Sequence, residues 1–179
     1  MLFGKRKVGV ALAGGGAKGL AHIGFLEAVK ENGIPVDMIT GTSIGAIIGA
    51  IYALEPDTAK MKNTMIRLVE SDVYGNLKLD KFKSGDGDHW FDRIRNKLKK
   101  GITFAEAATS PSLIPEKPVV ELFKELFDDR TFEDTVLPFA AVALDLVSGE
   151  DVVFREGLIR DAVMASTAIP VIYYLVSIK

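Results

Sequence analysis

Apolar positions along the chain change rhythm several times. Residues 8–13 form a continuous apolar run with β-branched Val8 and Val10, the pattern of a buried strand in a parallel sheet. Gly14-Gly15-Gly16-Ala17-Lys18-Gly19 interrupts it. Leu20, Ile23, Leu26 and Val29 then recur at helical spacing, predicting a helix over 19–32 with Gly33 as its C-cap. Pro35 leads into a second short strand over 36–40. Residues 44–54 are apolar on nearly every side, so the helix predicted there is central and buried. The order strand, loop, helix, strand, turn, helix predicts an α/β fold with a parallel sheet.

The rest of the chain alternates helix and loop signals. Met61, Met65, Leu68 and Val69 mark one side of a helix over 56–71. Residues 72–89 are polar and glycine-bearing and read as a loop. Trp90, Phe91, Ile94 and Leu98 form an apolar stripe over 90–100, with Arg93, Arg95, Lys97, Lys99 and Lys100 around it. Val119, Leu122, Phe123 and Leu126 give an amphipathic helix over 118–127. Residues 139–147 and 151–154 read as strands joined through Ser148-Gly149 in a hairpin. A helix over 158–168 ends before Pro170.

Composition narrows the class. At 179 residues, with 48% apolar and 26% charged residues, one globular domain with a substantial core is expected. A net charge of −2 gives no general attraction to nucleic acid. There is no cysteine, which excludes disulfides and thiolate metal sites. The basic start, Lys5-Arg6-Lys7, leads into an apolar run too short for a signal peptide, and 44–54 is too short to span a membrane. A cytoplasmic protein is expected.

Gly41-Thr42-Ser43-Ile44-Gly45 carries the most chemical information. It is a G-x-S-x-G between a predicted strand and a predicted helix. A serine at such a turn stands out from the backbone, where a substrate reaches it. The glycines let the turn close without Cβ clashes, and the helix N-terminus faces negative charge forming near the serine. The bland reading is a glycine-rich turn packed tightly on a helix.

The loop 14–19 has two readings. Gly14-x-Gly16-x-x-Gly19 matches a dinucleotide-binding fingerprint. That use also requires an acid at the end of the second strand, whereas Asp37 stands before it and Gly41-Thr42-Ser43 occupies its end. The other reading is an anion nest, in which successive N–H groups hold the oxyanion of acyl transfer. Loops 14–19 and 41–45 follow adjacent strands, so both open at the C-terminal edge of the sheet.

Together these segments resemble the patatin-like phospholipases. Gly14 to Gly19 (Gly14, Gly15, Gly16, Ala17, Lys18, Gly19) is similar to that family's oxyanion-hole loop, and Gly41, Thr42, Ser43, Ile44 and Gly45 to its nucleophile elbow. Ala21-His22-Ile23-Gly24 resembles the start of its first helix. Ala143-Leu144-Asp145-Leu146 with Ser148-Gly149-Glu150, and Ala165-Ser166-Thr167-Ala168-Ile169-Pro170, resemble two further segments. The likeness covers residues 7–55 and 131–170, with a variable, lid-like region at 72–117. It implies a three-layer α/β/α domain over 1–179 with a mainly parallel central sheet. It also implies a Ser–Asp dyad that hydrolyses lipid acyl esters with no metal and no cofactor.

The family's aspartate lies in an Asp-Gly-Gly or Asp-Gly-Ala downstream of the segment matching 165–170. Residues 171–179 hold neither Asp nor Gly, and no glycine follows Pro170. The chain is accordingly read as C-terminally incomplete or as a natural short form. Asp86, in the one Asp-Gly of the chain, and Asp145 are weak candidates for a substitute base. His22 reads as a packing or capping residue, and His89 has no evident partner. Lys18 is suited to an anionic head group or to a solvated helix start. The stripe over 90–100 fits an anionic membrane surface or an ordinary surface helix. The apolar stretch from Val171 to Ile178 fits a strand that completes the sheet or pairs with another copy. Three functions follow in order: a serine lipid acyl hydrolase, an inactive lipid-binding or oligomer-forming relative, and a nucleotide-binding module.

Overall fold

Four short strands form one sheet in the order β1-β2-β3-β4, in a computed structural model that describes residues 7–72, 75 and 116–169. β1 (Gly9–Leu12) runs parallel to β2 (Met38–Gly41), and β2 parallel to β3 (Phe139–Leu144). β4 (Asp151–Phe154) returns antiparallel to β3. The helices are α1 (Ala21–Glu31), α2 (Ile44–Leu54), α3 (Thr58–Glu70), α4 (Glu116–Phe127) and α5 (Ile159–Thr167). The protein is thus a mixed α/β structure with a mostly parallel sheet, as expected. The features predicted over 76–115, among them Asp86, His89 and the 90–100 stripe, lie outside the described residues. So does the strand predicted over 171–178.

The step from β1 to β2 to β3 goes one way across the sheet. Right-handed crossovers then put the intervening helices on a single face. Burial follows that rule. Val10, Ile39 and Phe139 lie side by side and are buried, as are Leu12, Gly41 and Ala141 one layer on. The alternate residues Gly9, Ala11 and Met38 are exposed. Among the described residues, helices cover one face of the sheet, and the second helical layer of a three-layer sandwich is not among them.

α2 sits at the centre, touching β1, β2, β3, α1, α3 and α5. Its small residues Ala46, Gly49, Ala50 and Ala53 are buried and let its axis lie close to the strands. A Cβ built on Gly49 would stand 3.1 Å from the Phe139 ring, so this glycine leaves room for that ring. Phe139 in turn stacks on Phe132 with centroids 5.6 Å apart.

Helix ends follow local chemistry. Gly33, at φ +65°, sends its N–H to Lys30 C=O, and Ile34 sends its own to Val29 C=O, both at 3.0 Å. This is the Schellman closure that Gly33 predicted. Asp57 caps α3 by accepting from the N–H groups of Ala59 and Lys60, both at 3.0 Å. The strand predicted to run to residue 147 stops at Leu144. There the Asp145 carboxylate accepts the Val147 N–H at 2.8 Å and starts the hairpin turn early. No helix among the described residues is long and apolar enough to cross a membrane.

Candidate active site

The 41–45 segment forms the strand-to-helix turn its sequence predicts. β2 ends at Gly41, and Ser43 is the N-cap of α2 with φ 56° and ψ −126°. Among the described residues, only Ser43 and Asp128 combine a side chain with positive φ. Such a conformation costs about 1–3 kcal/mol and persists only where its surroundings enforce it. Here the enforcement is contact. A Cβ on Gly41 would overlap the Gly45 carbonyl, and one on Gly45 would overlap the Leu12 carbonyl oxygen. Thr42 N–H also donates to Leu12 C=O at 3.0 Å. The two glycines therefore allow three backbone segments to press together, while the unusual φ falls on the serine.

Ser43 is half-buried and does not spend its side chain on capping α2. Its backbone is engaged. Its C=O accepts from Ala46 at 2.8 Å and Ile47 at 3.2 Å, and its N–H donates to Ser166 Oγ at 2.9 Å. Ser166 belongs to α5 and donates its own proton to Val142 C=O at 2.6 Å. Sequence reading singled out the segment 165–170 but gave Ser166 no role. Its only signal was a small polar residue in a short helix that ends at a proline.

The glycine loop lies directly against the elbow. A Cβ on Gly14 would stand 3.3 Å from Ser43 Cβ and 3.9 Å from Ser43 Oγ. Gly16 takes φ +55° and opens a 3-10 helix, Gly16–Leu20. The leading amides of any helix have no intrahelical acceptor, so those of Gly16 and Ala17 make no bond within this one. Gly19 is buried where any Cβ would overlap the Ile44 side chain, which fastens the loop to the first turn of α2. Lys18 is exposed, with its N–H bonded to Gly15 C=O at 3.3 Å. The predicted meeting of the two glycine segments at one sheet edge is thus what the backbone shows.

Other candidates fall elsewhere or are already engaged. His22 Nε2 lies 2.9 Å from Ala13 C=O. A carbonyl only accepts, so Nε2 carries the proton, and the ring ties α1 to the end of β1. Asp145 is occupied by its own turn. The Val147 N–H, and after it the Ser148 hydroxyl, hold its carboxyl below the usual carboxylate range. A group held low is a weaker base. Asp37 accepts Val8 N–H at 2.6 Å, at the opposite edge of the sheet from the 14–19 loop. It is therefore not where a dinucleotide ribose would need it. A depression lined by Glu55, Lys60, Asn63, Thr64, Ile66 and Arg67 runs along α3 and includes no residue of either glycine segment.

What this arrangement offers chemically is a serine hydroxyl on a rigid turn, beside a glycine backbone approachable from solvent. Comparison with known proteins identifies the family. The sequence model of the family described as "Patatin-like phospholipase" matches residues 10–179. A patatin-like phospholipase domain-containing protein of Caenorhabditis elegans is 31% identical over 150 residues, 84% of this chain and 9% of that protein. "Lysophospholipase nte1" of Aspergillus fumigatus is 46% identical over 85 residues, 48% of this chain and 5% of that protein. An uncharacterized NTE family protein of Mycobacterium bovis is 28% identical over 164 residues, 92% of this chain and 38% of that protein. The chain thus spans well under half the length of each of these relatives. Among solved structures, the type III effector protein ExoU aligns at a TM-score of 0.48 and 22% identity, over 92% of this chain and 40% of that one. With a family match over nearly its whole length, on the glycine segments just described, the chain belongs to the patatin-like phospholipase family.

Proposed function

We propose that this chain carries a serine acyl-hydrolase centre for lipid esters, with Ser43 as nucleophile and the 14–19 amides as oxyanion hole. The observation that carries the reading is the backbone of Ser43: positive φ on a non-glycine residue, enforced by Gly41 and Gly45, with Gly14 against its Cβ. Strain of this kind clusters at sites where it positions a reacting group.

The chemistry follows from the layout. Ser43 Oγ attacks the ester carbonyl carbon, and the carbonyl oxygen takes the negative charge. Backbone amides of the 14–19 loop face that charge, and each such donor is worth about 10²–10³ in rate. The C–O bond of the leaving alcohol breaks, the alcohol departs with a proton, and water then cleaves the acyl-enzyme. An aspartate takes the serine proton in this family's pattern. His22 is bonded to Ala13 C=O and Asp145 to its own turn, and Asp86 lies outside the described residues. Lipid is the substrate class because relatives carry phospholipase and lysophospholipase names. On sequence grounds, the basic stripe over 90–100 suits an anionic bilayer, and the apolar 171–178 stretch suits self-association.

A fluorophosphonate probe tests the reading. Ser43 is expected to be modified, as seen by mass spectrometry of the peptide, and Ser43→Ala to abolish the signal. A folded wild-type protein that takes no label overturns it.

A further inference from the structure

We infer that Ser166 is a positioning residue for Ser43: its hydroxyl replaces a rung of the sheet and thereby holds the elbow open. The inference rests on the reading of Ser43 as nucleophile and adds to it a second residue, distant in sequence, on which that serine's geometry depends.

The ladder between β2 and β3 supplies the first observation. Ile39 N–H donates to Pro138 C=O at 2.9 Å. Along one strand of a parallel pair the donors recur every second residue. The next two rungs therefore fall between Gly41 and Ala140, and between Ser43 and Val142. Strand pairing ends at Gly41 and Ala141. At the third rung the amide and carbonyl do not meet each other. Ser166 Oγ stands between them, 2.9 Å from Ser43 N and 2.6 Å from Val142 O.

The direction of this bridge is fixed by its partners. An amide only donates and a carbonyl only accepts, so the single hydroxyl proton goes to Val142 and a lone pair faces Ser43. Both backbone groups are satisfied while the two strands stand a hydroxyl's width further apart. That extra width frees Ser43 from the extended path of β2, so it can take φ 56° and lead into α2. Packing sets the hydroxyl in place: Ile159, Ala162 and Val163 of α5 are buried, and α5 lies against β3, α2 and α4. Losing the hydroxyl leaves two choices. Either two partly buried backbone groups lose their partner, or the strand closes into a direct rung and draws Ser43 toward extended backbone. In both, Oγ shifts relative to Gly14.

The experiment uses the full chain with three variants. Ser166→Ala removes the bridge, and Ser166→Thr keeps a hydroxyl. Thr167→Ala removes a neighbouring hydroxyl that bonds to Val163 and Met164 of its own helix. Two quantities are read: amide hydrogen exchange at Ser43 by NMR, and fluorophosphonate labelling split into reversible binding and the covalent step. In Ser166→Ala, Ser43 exchange is expected to speed up. The covalent step should slow by about 10- to 100-fold, as small misplacements do, with reversible binding little changed. Ser166→Thr should recover most of that loss, and Thr167→Ala should match wild type. Unchanged exchange in a folded Ser166→Ala overturns the bridge. Faster exchange with unchanged labelling overturns the positioning role. If wild type itself takes no label, the nucleophile reading fails, and the exchange data still decide the bridge.

Discussion

The two edges of the sheet solve the same problem in different ways. At the N-terminal edge, Val8 and Asp37 close on each other: Val8 N–H to the Asp37 carboxylate at 2.6 Å, and Asp37 N–H to Val8 C=O at 2.8 Å. Both residues border neighbouring strands, and neither has positive φ. At the C-terminal edge, the amide of Ser43 is met by a neutral hydroxyl from a residue 123 positions away, and Ser43 itself is in a costly conformation. An edge that only has to close does so with its nearest polar side chain. An edge that holds a serine at positive φ borrows distant support to keep an unfavourable turn in place.

Substitutions on each side test this contrast. The largest effect is expected from Gly45→Ala, whose Cβ would overlap the Leu12 carbonyl where rigid backbone cannot yield. It should cost upwards of about 3 kcal/mol, at the top of the overpacking range, and show as a large fall in thermal midpoint or in soluble yield. Ser43→Gly separates strain from chemistry. Labelling should vanish, yet the protein should gain about 1 kcal/mol in denaturant unfolding, because glycine takes φ 56° without the Cβ penalty. A destabilised Ser43→Gly would show that the turn is not strained.

Asp37→Ala strikes the other edge. It removes an acceptor from the Val8 amide and should lower stability by about 1–3 kcal/mol, with Ser43 labelling kept within twofold of wild type. A large labelling loss there would erase the difference between the edges. The smallest effect concerns pH and the Asp145 turn. The folded-state pKa of Asp145 is lowered, so its contribution is present above the unfolded value of about 3.9 and is lost as pH falls through the folded one. Thermal midpoints of wild type and Asp145→Asn should therefore differ at neutral pH and converge in acid below about pH 4. A gap that widens in acid would contradict the turn's hydrogen bonds.

The segments legible in the sequence are those whose cause is local. Val8 and Val10 in an apolar run, Gly33 after a helical period, and Gly41 and Gly45 around a serine each specify their own stretch, and β1, α1, β2 and α2 follow within one or two residues. The adjacent glycine segments could be placed at one edge because consecutive parallel strands keep their connections short and right-handed. Hydrophobic spacing sets the end of β3 too late because Asp145 competes for the backbone through its side chain, a contact that spacing does not register. Asp37 could be set aside as a ribose ligand from its place in the chain, yet its bond to Val8 needed the two strands aligned. Ser166 was visible only as one residue in a familiar segment. Its importance depends on α5 folding back onto β3.

Residue order alone specifies where the chain turns, which segments form its strands and helices, and which serine stands at a strand-to-helix junction, although Leu20 and Val69 of the apolar stripes are exposed. Those properties depend on periodicity and on the steric freedom of single residues. Tertiary packing sets the rest: a side chain at Gly14 would press on Ser43, His22 and Asp145 are bonded elsewhere, and Ser166 bridges the end of β2 and β3. Such contacts are set by a few ångströms of packing between segments far apart in the chain, and residue types along one segment do not encode them.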